Sequence, residues 1–135
     1  MAIVDAQGTT LTYFDGTTAQ TVGGVQSFGT IGSGTRTERD RTTLASTAKE
    51  FGFGLKDNGT FTVNALYDSA DVGQAAMIAD HNAASAVARE CVLTLSDGEI
   101  RTFDAYVIEA PLEIPADGDI TVSYSLRITG AIVIS

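Results

Sequence analysis

The sequence predicts an all-β fold class: an antiparallel β-sandwich or part-open barrel with one flanking helix and a long inter-strand loop. Three observations carry that reading. Gly59 to Tyr67 and Asp119 to Thr129 alternate apolar and polar residues with the period of half-buried strands. The pairs Asp15-Gly16, Asp97-Gly98 and Asp117-Gly118 punctuate runs rich in Thr, Val, Ile and aromatics. Only Ala70 to Ala84 repeats its apolar residues at helical spacing.

In chain order, Met1 to Gly8 is weakly patterned and reads as a short N-terminal arm. Thr9 to Phe14 is a first strand, rich in Thr and aromatics. Ala19 to Phe28 reads as a second, interrupted by a bulge or sharp bend at Gly23-Gly24. Gly29 to Gly34 is glycine-rich but leads into no helix, so it lacks the N–H cradle and dipole of a phosphate loop and reads as a turn or bulge. Thr35 to Thr43, TRTERDRTT, would place Arg39 and Arg41 on one face of a strand and Glu38 and Asp40 on the other. Neither face can cover an apolar core. Two readings stand side by side: an exposed, charge-protected hairpin arm, or a contact between identical subunits.

Leu44 to Asn58 is small, polar and glycine-punctuated, without a clean period of either kind. It reads as a long loop with too few apolar anchors to pack alone, expected to be mobile in a free subunit. A strand follows, with Phe61, Val63, Ala65 and Tyr67 facing one way. Asp68 or Ser69 can cap the helix, and Asp71 adds favourable charge to its first turn. Its stripe of Val72, Ala75, Ala76, Ala79 and Ala83 is narrow, so it should lie close on a sheet. His81 near its end has no second His to work with and reads as a surface residue. Ala88 to Ser96 and Glu99 to Glu109 form a hairpin, and Pro111 and Pro115 bracket a connection. Ile120, Val122, Tyr124, Leu126 and Ile128 should face a core, with Gly130 ending the strand. Ala131 to Ser135 is then an apolar tail that docks on the sheet or on a neighbour. The pattern amounts to six or seven strands and one helix in a single domain over residues 1–135.

Composition narrows function. Eight Lys and Arg against 17 Asp and Glu give a net charge of −9, which argues against gripping nucleic-acid phosphates or anionic membrane. One cysteine allows no internal disulfide and no cysteine metal cluster, and no stretch has the length and hydropathy of a membrane span or a signal peptide. With one His and one Cys, and no HExxH or lipase-type Gly-x-Ser-x-Gly, no nucleophile–base pair is predicted, nor any cofactor. A paired-carboxylate hydrolase is the enzymatic alternative, but most carboxylates lie in turns or beside basic residues, where solvation accounts for them. Trp is absent and aromatics are 7%, a poor basis for a sugar- or base-stacking platform.

The segment LASTAKEFGFGLKDNGTFTVNALYD (44–68), the acidic-capped helix after it, LSDGEIRTFDAYV and a closing DITVSYSLRITG occur in an order that resembles the major tail tube protein of long-tailed, non-contractile bacteriophages. The resemblance covers roughly Leu11 to Gly130. It implies a structural virion protein, made in the host bacterial cytoplasm, whose hexameric rings stack into a conduit for the genome. The implied partners are the protein itself and the tape measure, tail tip and tail terminator proteins, with DNA passing through without specific binding and no membrane contact. The implied inter-ring loop maps to Lys49, Glu50, Lys56 and Asp57, with Arg36, Glu38, Arg39, Asp40 and Arg41 on its rising strand. Asp119, Thr121, Ser123 and Ser125 are the expected channel-facing residues. Alternatives are the tube of a related injection system, of type VI secretion or baseplate-hub kind, and a small β-sandwich decoration or adhesion module.

Overall fold

The structure is a computed structural model that describes residues 3–31 and 34–135. Met1 and Ala2 of the expected N-terminal arm, and Gly32 and Ser33 of the glycine-rich turn, lie outside the described residues. The strands in chain order are β1 (Thr10–Phe14), β2 (Ala19–Thr21), β3 (Val25–Phe28), β4 (Thr35–Asp40), β5 (Phe51–Asp57) and β6 (Thr60–Leu66). The helix α1 (Val72–His81) follows, then β7 (Arg89–Thr94), β8 (Ile100–Glu109), β9 (Leu112–Glu113) and β10 (Thr121–Ile134). Eight strands form one antiparallel sheet in the order β2-β1-β7-β8-β10-β6-β3, with β9 paired to β10, while β4 and β5 pair only with each other.

That order forces curvature. The edge strands β2 and β3 are joined by residues 22–24 alone. Seven strands laid flat would put them about 29 Å apart at the usual strand spacing, yet four Cα steps reach at most about 15 Å. The sheet therefore wraps round and its two edges meet at Gly23-Gly24, an open seam rather than a closed barrel. Val22 N donates to Leu11 O (2.9 Å) on one side of the seam and Leu66 N to Gly24 O (2.8 Å) on the other. The expected single strand over Ala19 to Phe28 is thus two strands at opposite edges. Its glycine pair is the corner between them, and Gly24 adopts φ 72°, which favours glycine.

The concave face encloses the core: Leu11 and Tyr13 of β1, Phe61, Val63 and Ala65 of β6, Cys91 and Leu93 of β7, Phe103 and Ala105 of β8, and Val122, Tyr124, Leu126 and Ile128 of β10. Phe61 stacks on Phe28 and meets Phe103 edge-on, both at 5.8 Å between centroids. Ile120 does not join them: it precedes the strand and is exposed. Nor does Gly130 end β10. Gly130 takes φ 78° within a break in the β8 pairing, after which Val133 and Ile134 pair with Thr102 and Arg101. The supposed tail is the last part of the longest strand.

The helix is shorter than its periodicity predicts and turned about its axis. Asp71 is the cap, its carboxylate accepting from Gln74 N at 2.9 Å. Gly73, Gln74 and Met77 are buried, while Val72, Ala75 and Ala79 are exposed. Gly73 rests on the β2 backbone, where a Cβ would come within 2.7 Å of Thr21 O. Gln74 sits at the seam with every polar valence used. Its Nε2 donates to Gly23 O (2.8 Å) and Leu66 O (2.9 Å), and its Oε1 accepts from Tyr124 OH (3.0 Å) and Asp68 N (3.2 Å). A search for an apolar stripe passes over such a residue because it scores Gln as solvent-facing. At the other end Asp80 accepts from Tyr13 OH (2.6 Å) and Arg89 Nε (3.0 Å). Burial first, then the Asp80 hydrogen bond, holds the Tyr13 hydroxyl well above its ordinary pKa.

Candidate assembly interface

The β4–β5 arm is the part of the chain that packs least on itself. All six residues of β4 are exposed. Its ties to the body lie at the root. There Arg127 donates to Asp57 (2.8 Å), Asn58 Nδ2 donates to Gly130 O (2.6 Å) and Ile128 N donates to Gly59 O (3.0 Å). The Arg127 hydrogen bond, then that of Gly59 N, lowers the Asp57 pKa. At the tip Arg41 N donates to Glu50 O (2.8 Å), and Glu50 N donates to Thr42 Oγ1 (2.9 Å). Lys49 pairs with Asp40 at 3.7 Å, both exposed, where solvent screens the contact.

Register makes the arm two-faced. Glu38 pairs with Phe53 and Asp40 with Phe51, so Phe51, Phe53 and Leu55 share a face with the two acids. These three side chains are 47%, 59% and 93% exposed. Arg39 pairs with Gly52, so Thr37, Arg39 and Arg41 form the second face, while Arg36, opposite Lys56, keeps the face of Glu38 because the extra residue of the register shift lies on β5. Arg41 lies directly over Gly52. The second face therefore carries two cations, Arg39 and Arg41, with Thr37 lying on Gly54. Arg36 opposite Lys56 is a like-charge pair that costs stability within the arm.

The structure thus brings Arg36, Glu38, Arg39, Asp40, Arg41, Lys49, Glu50, Lys56 and Asp57 into one hairpin, with the faces expected for residues 38–41. It corrects the reading of Leu44 to Asn58 as one long loop. Residues 51–57 are a strand, and Phe51-Gly52-Phe53-Gly54-Leu55-Lys56 alternates with period 2. That signal was present, hidden because glycines stood where polar residues are sought. The exposed apolar stripe of Phe51, Phe53 and Leu55 was missed with it. Residues 35–57 also hold five of the eight Lys and Arg but four of the 17 Asp and Glu, a balance of +1 against −10 for the remainder.

Over β10, β6 and β3 the convex face of the sheet carries mostly small polar side chains. Thr121, Ser123 and Ser125 lie opposite Leu66, Asn64 and Thr62, on the side away from the core. Ser123 Oγ donates to Asn64 Oδ1 (2.8 Å), whose Nδ2 donates to Ser27 Oγ (3.1 Å), a ladder across β10, β6 and β3. Asp119 is exposed in the loop before β10 and not part of that ladder. Elsewhere the titration shifts mark packing. Cys91 is pushed up to about 12, first by burial, and burial likewise raises Tyr124. Among the described residues no cluster of His, Cys, Asp and Glu could hold a metal, and no helix is long and apolar enough to cross a membrane.

The chain is a curled, open antiparallel sheet with one flanking helix and a two-stranded arm, a fold it shares with solved tail and tube proteins. In particular, it is similar to the tail protein of an empty GTA particle refined with C6 symmetry, at 15% identity over 98% of this chain and 99% of that one, with a TM-score of 0.75. It is similar to the SPP1 tail tube at 16% identity over 98% and 78% of the two chains, TM-score 0.71. A chain of the PVC sheath/tube terminator of an extracellular contractile injection system shares the fold at 6% identity over 100% and 98%, TM-score 0.77. No family model and no curated protein matches the sequence.

Proposed function

We propose that the protein is a structural subunit of a phage-type tail tube, forming six-membered rings that stack into the conduit for genome delivery. The observation that carries this is the arm: on a tube-subunit fold, it exposes an apolar stripe and four cations that the chain itself leaves uncovered. An exposed hydrophobic hairpin is an aggregation hazard in a monomer and a contact in an assembly. Arg36, Glu38, Arg39, Asp40, Arg41, Lys49, Glu50, Lys56 and Asp57 then meet neighbouring copies, in a head-to-tail contact that closes as a ring and propagates as a tube. Thr121, Ser123 and Ser125, with Asp119 at their end, line the channel, where uncharged hydroxyls and net negative charge let a polyanion pass without adhering. One domain supplies both body and arm. Tape measure, tail tip and terminator proteins complete the tail, and the role is structural rather than catalytic, in the virion.

Electron microscopy of the concentrated protein tests this: hollow tubes or six-membered rings are expected, and a protein that stays monomeric at every concentration overturns it. The likeness to the PVC protein favours a second reading, the inner tube of a contractile system. Tubes that recruit a sheath protein would select it.

A further inference from the structure

Besides the arm, a second stretch of the chain is wholly uncovered. Every residue from Pro111 to Ile120, the connection between β8 and β10 that contains β9, is exposed. It presents apolar side chains, with Leu112 at 46% and Ile114 at 70% exposure. It also carries Glu113, Asp117 and Asp119, and no Lys or Arg occurs between Arg101 and Arg127. Among the described residues β9 pairs with Thr121 and Val122 of β10, and its apolar neighbours stay exposed.

Its chemistry is the complement of the arm's basic face. There Arg39 and Arg41 stand beside Thr37, with Arg41 over Gly52. Arginine stems cover aliphatic side chains, and guanidinium heads pair with carboxylates. The two surfaces sit at opposite ends of one strand. The connection joins β10 at Val122 and the arm root meets it at Gly130, eight residues or about 26 Å along. One copy thus offers a donor surface at one end and an acceptor at the other, the geometry of a heterologous contact that repeats.

We infer that the basic face of the arm, that of Arg39 and Arg41, docks on the apolar and acidic β8–β10 connection, residues 111–120, of a second copy in the next ring. This rests on the tube-subunit reading and names the surface that receives the arm. Assembly then depends on opposed charges concentrated in two short segments, so it weakens as salt rises.

Charge reversal tests it. Glu113→Lys/Asp117→Lys should raise the protein concentration needed for tubes at least about tenfold, and Arg39→Glu/Arg41→Glu should do the same. The chain carrying all four changes should assemble again, because complementarity is restored with its sign inverted. A control that shifts net charge equally on mid-sheet strands, Glu90→Lys/Asp104→Lys, should stack like the unaltered protein. If the unaltered protein forms tubes and the Glu113/Asp117 variant stacks equally well, or the fourfold variant fails while remaining folded by circular dichroism, the docking assignment is wrong and the tube reading stands. If the unaltered protein forms neither rings nor tubes, the tube reading fails and the docking assignment with it.

Discussion

The two ends of this fold treat polar groups in opposite ways. At the seam, helix α1 brings Gln74, Asp71 and Asp80 against the sheet, and each finds its partners inside the chain: Gly23, Leu66, Tyr124, Tyr13 and Arg89. In the arm, Arg36, Arg39 and Lys56 stand exposed and Phe51 and Phe53 have no core to enter. A buried polar group must be matched within the fold or it costs the full desolvation. An exposed hairpin is under no such rule, and its unmet contacts are available to another molecule. The seam holds the fold's shape; the arm is where the proposed assembly contact lies.

Mutation should separate the two. The largest effect on folding is expected at the seam. Gln74→Leu strands the carbonyls of Gly23 and Leu66 and the Tyr124 hydroxyl, and should cost about 3 kcal/mol in urea unfolding. A loss under about 1 kcal/mol would mean that the helix clamp is not what holds the edges together. Phe51→Ser/Phe53→Ser should change subunit stability by less than about 0.5 kcal/mol, because neither ring packs on the core, yet abolish tubes seen by microscopy. Coupled loss of stability would place the stripe inside the fold. The smallest effect is at the arm root. The Asp57 pKa lies below its unfolded value, so its tie to Arg127 and Gly59 is fully present above about pH 4 and fades as pH falls through the lowered folded value. The Gly59 amide resonance should shift with a midpoint below the ordinary carboxylate value while core resonances hold. A normal midpoint would mean that Asp57 is free at the root.

Where alternation was carried by strong side chains, the sequence was enough to locate strands: β6, the β7–β8 hairpin and the first part of β10 lie where the pattern puts them. The charged faces of residues 38–41 were likewise readable, since side chains alternate along any strand. Glycines limited the reading in three places. Gly23-Gly24 read as a bulge or sharp bend within one strand and is the corner between two; Gly52 and Gly54 looked like a loop and are a strand; Gly130 looked like a stop and is passed over. A glycine reports that space or φ is needed and not which use is made of it.

By itself, then, the sequence determined the fold class, the acidic balance and the alternation that assigns inner and outer faces, because each depends on local residue order. The tertiary structure decided which strands lie at the edges, that the sheet curls until they meet, that Gln74 is buried, and that the arm and the β8–β10 connection are left uncovered at opposite ends of one strand. Those depend on pairings between residues far apart in the chain, which no local pattern encodes.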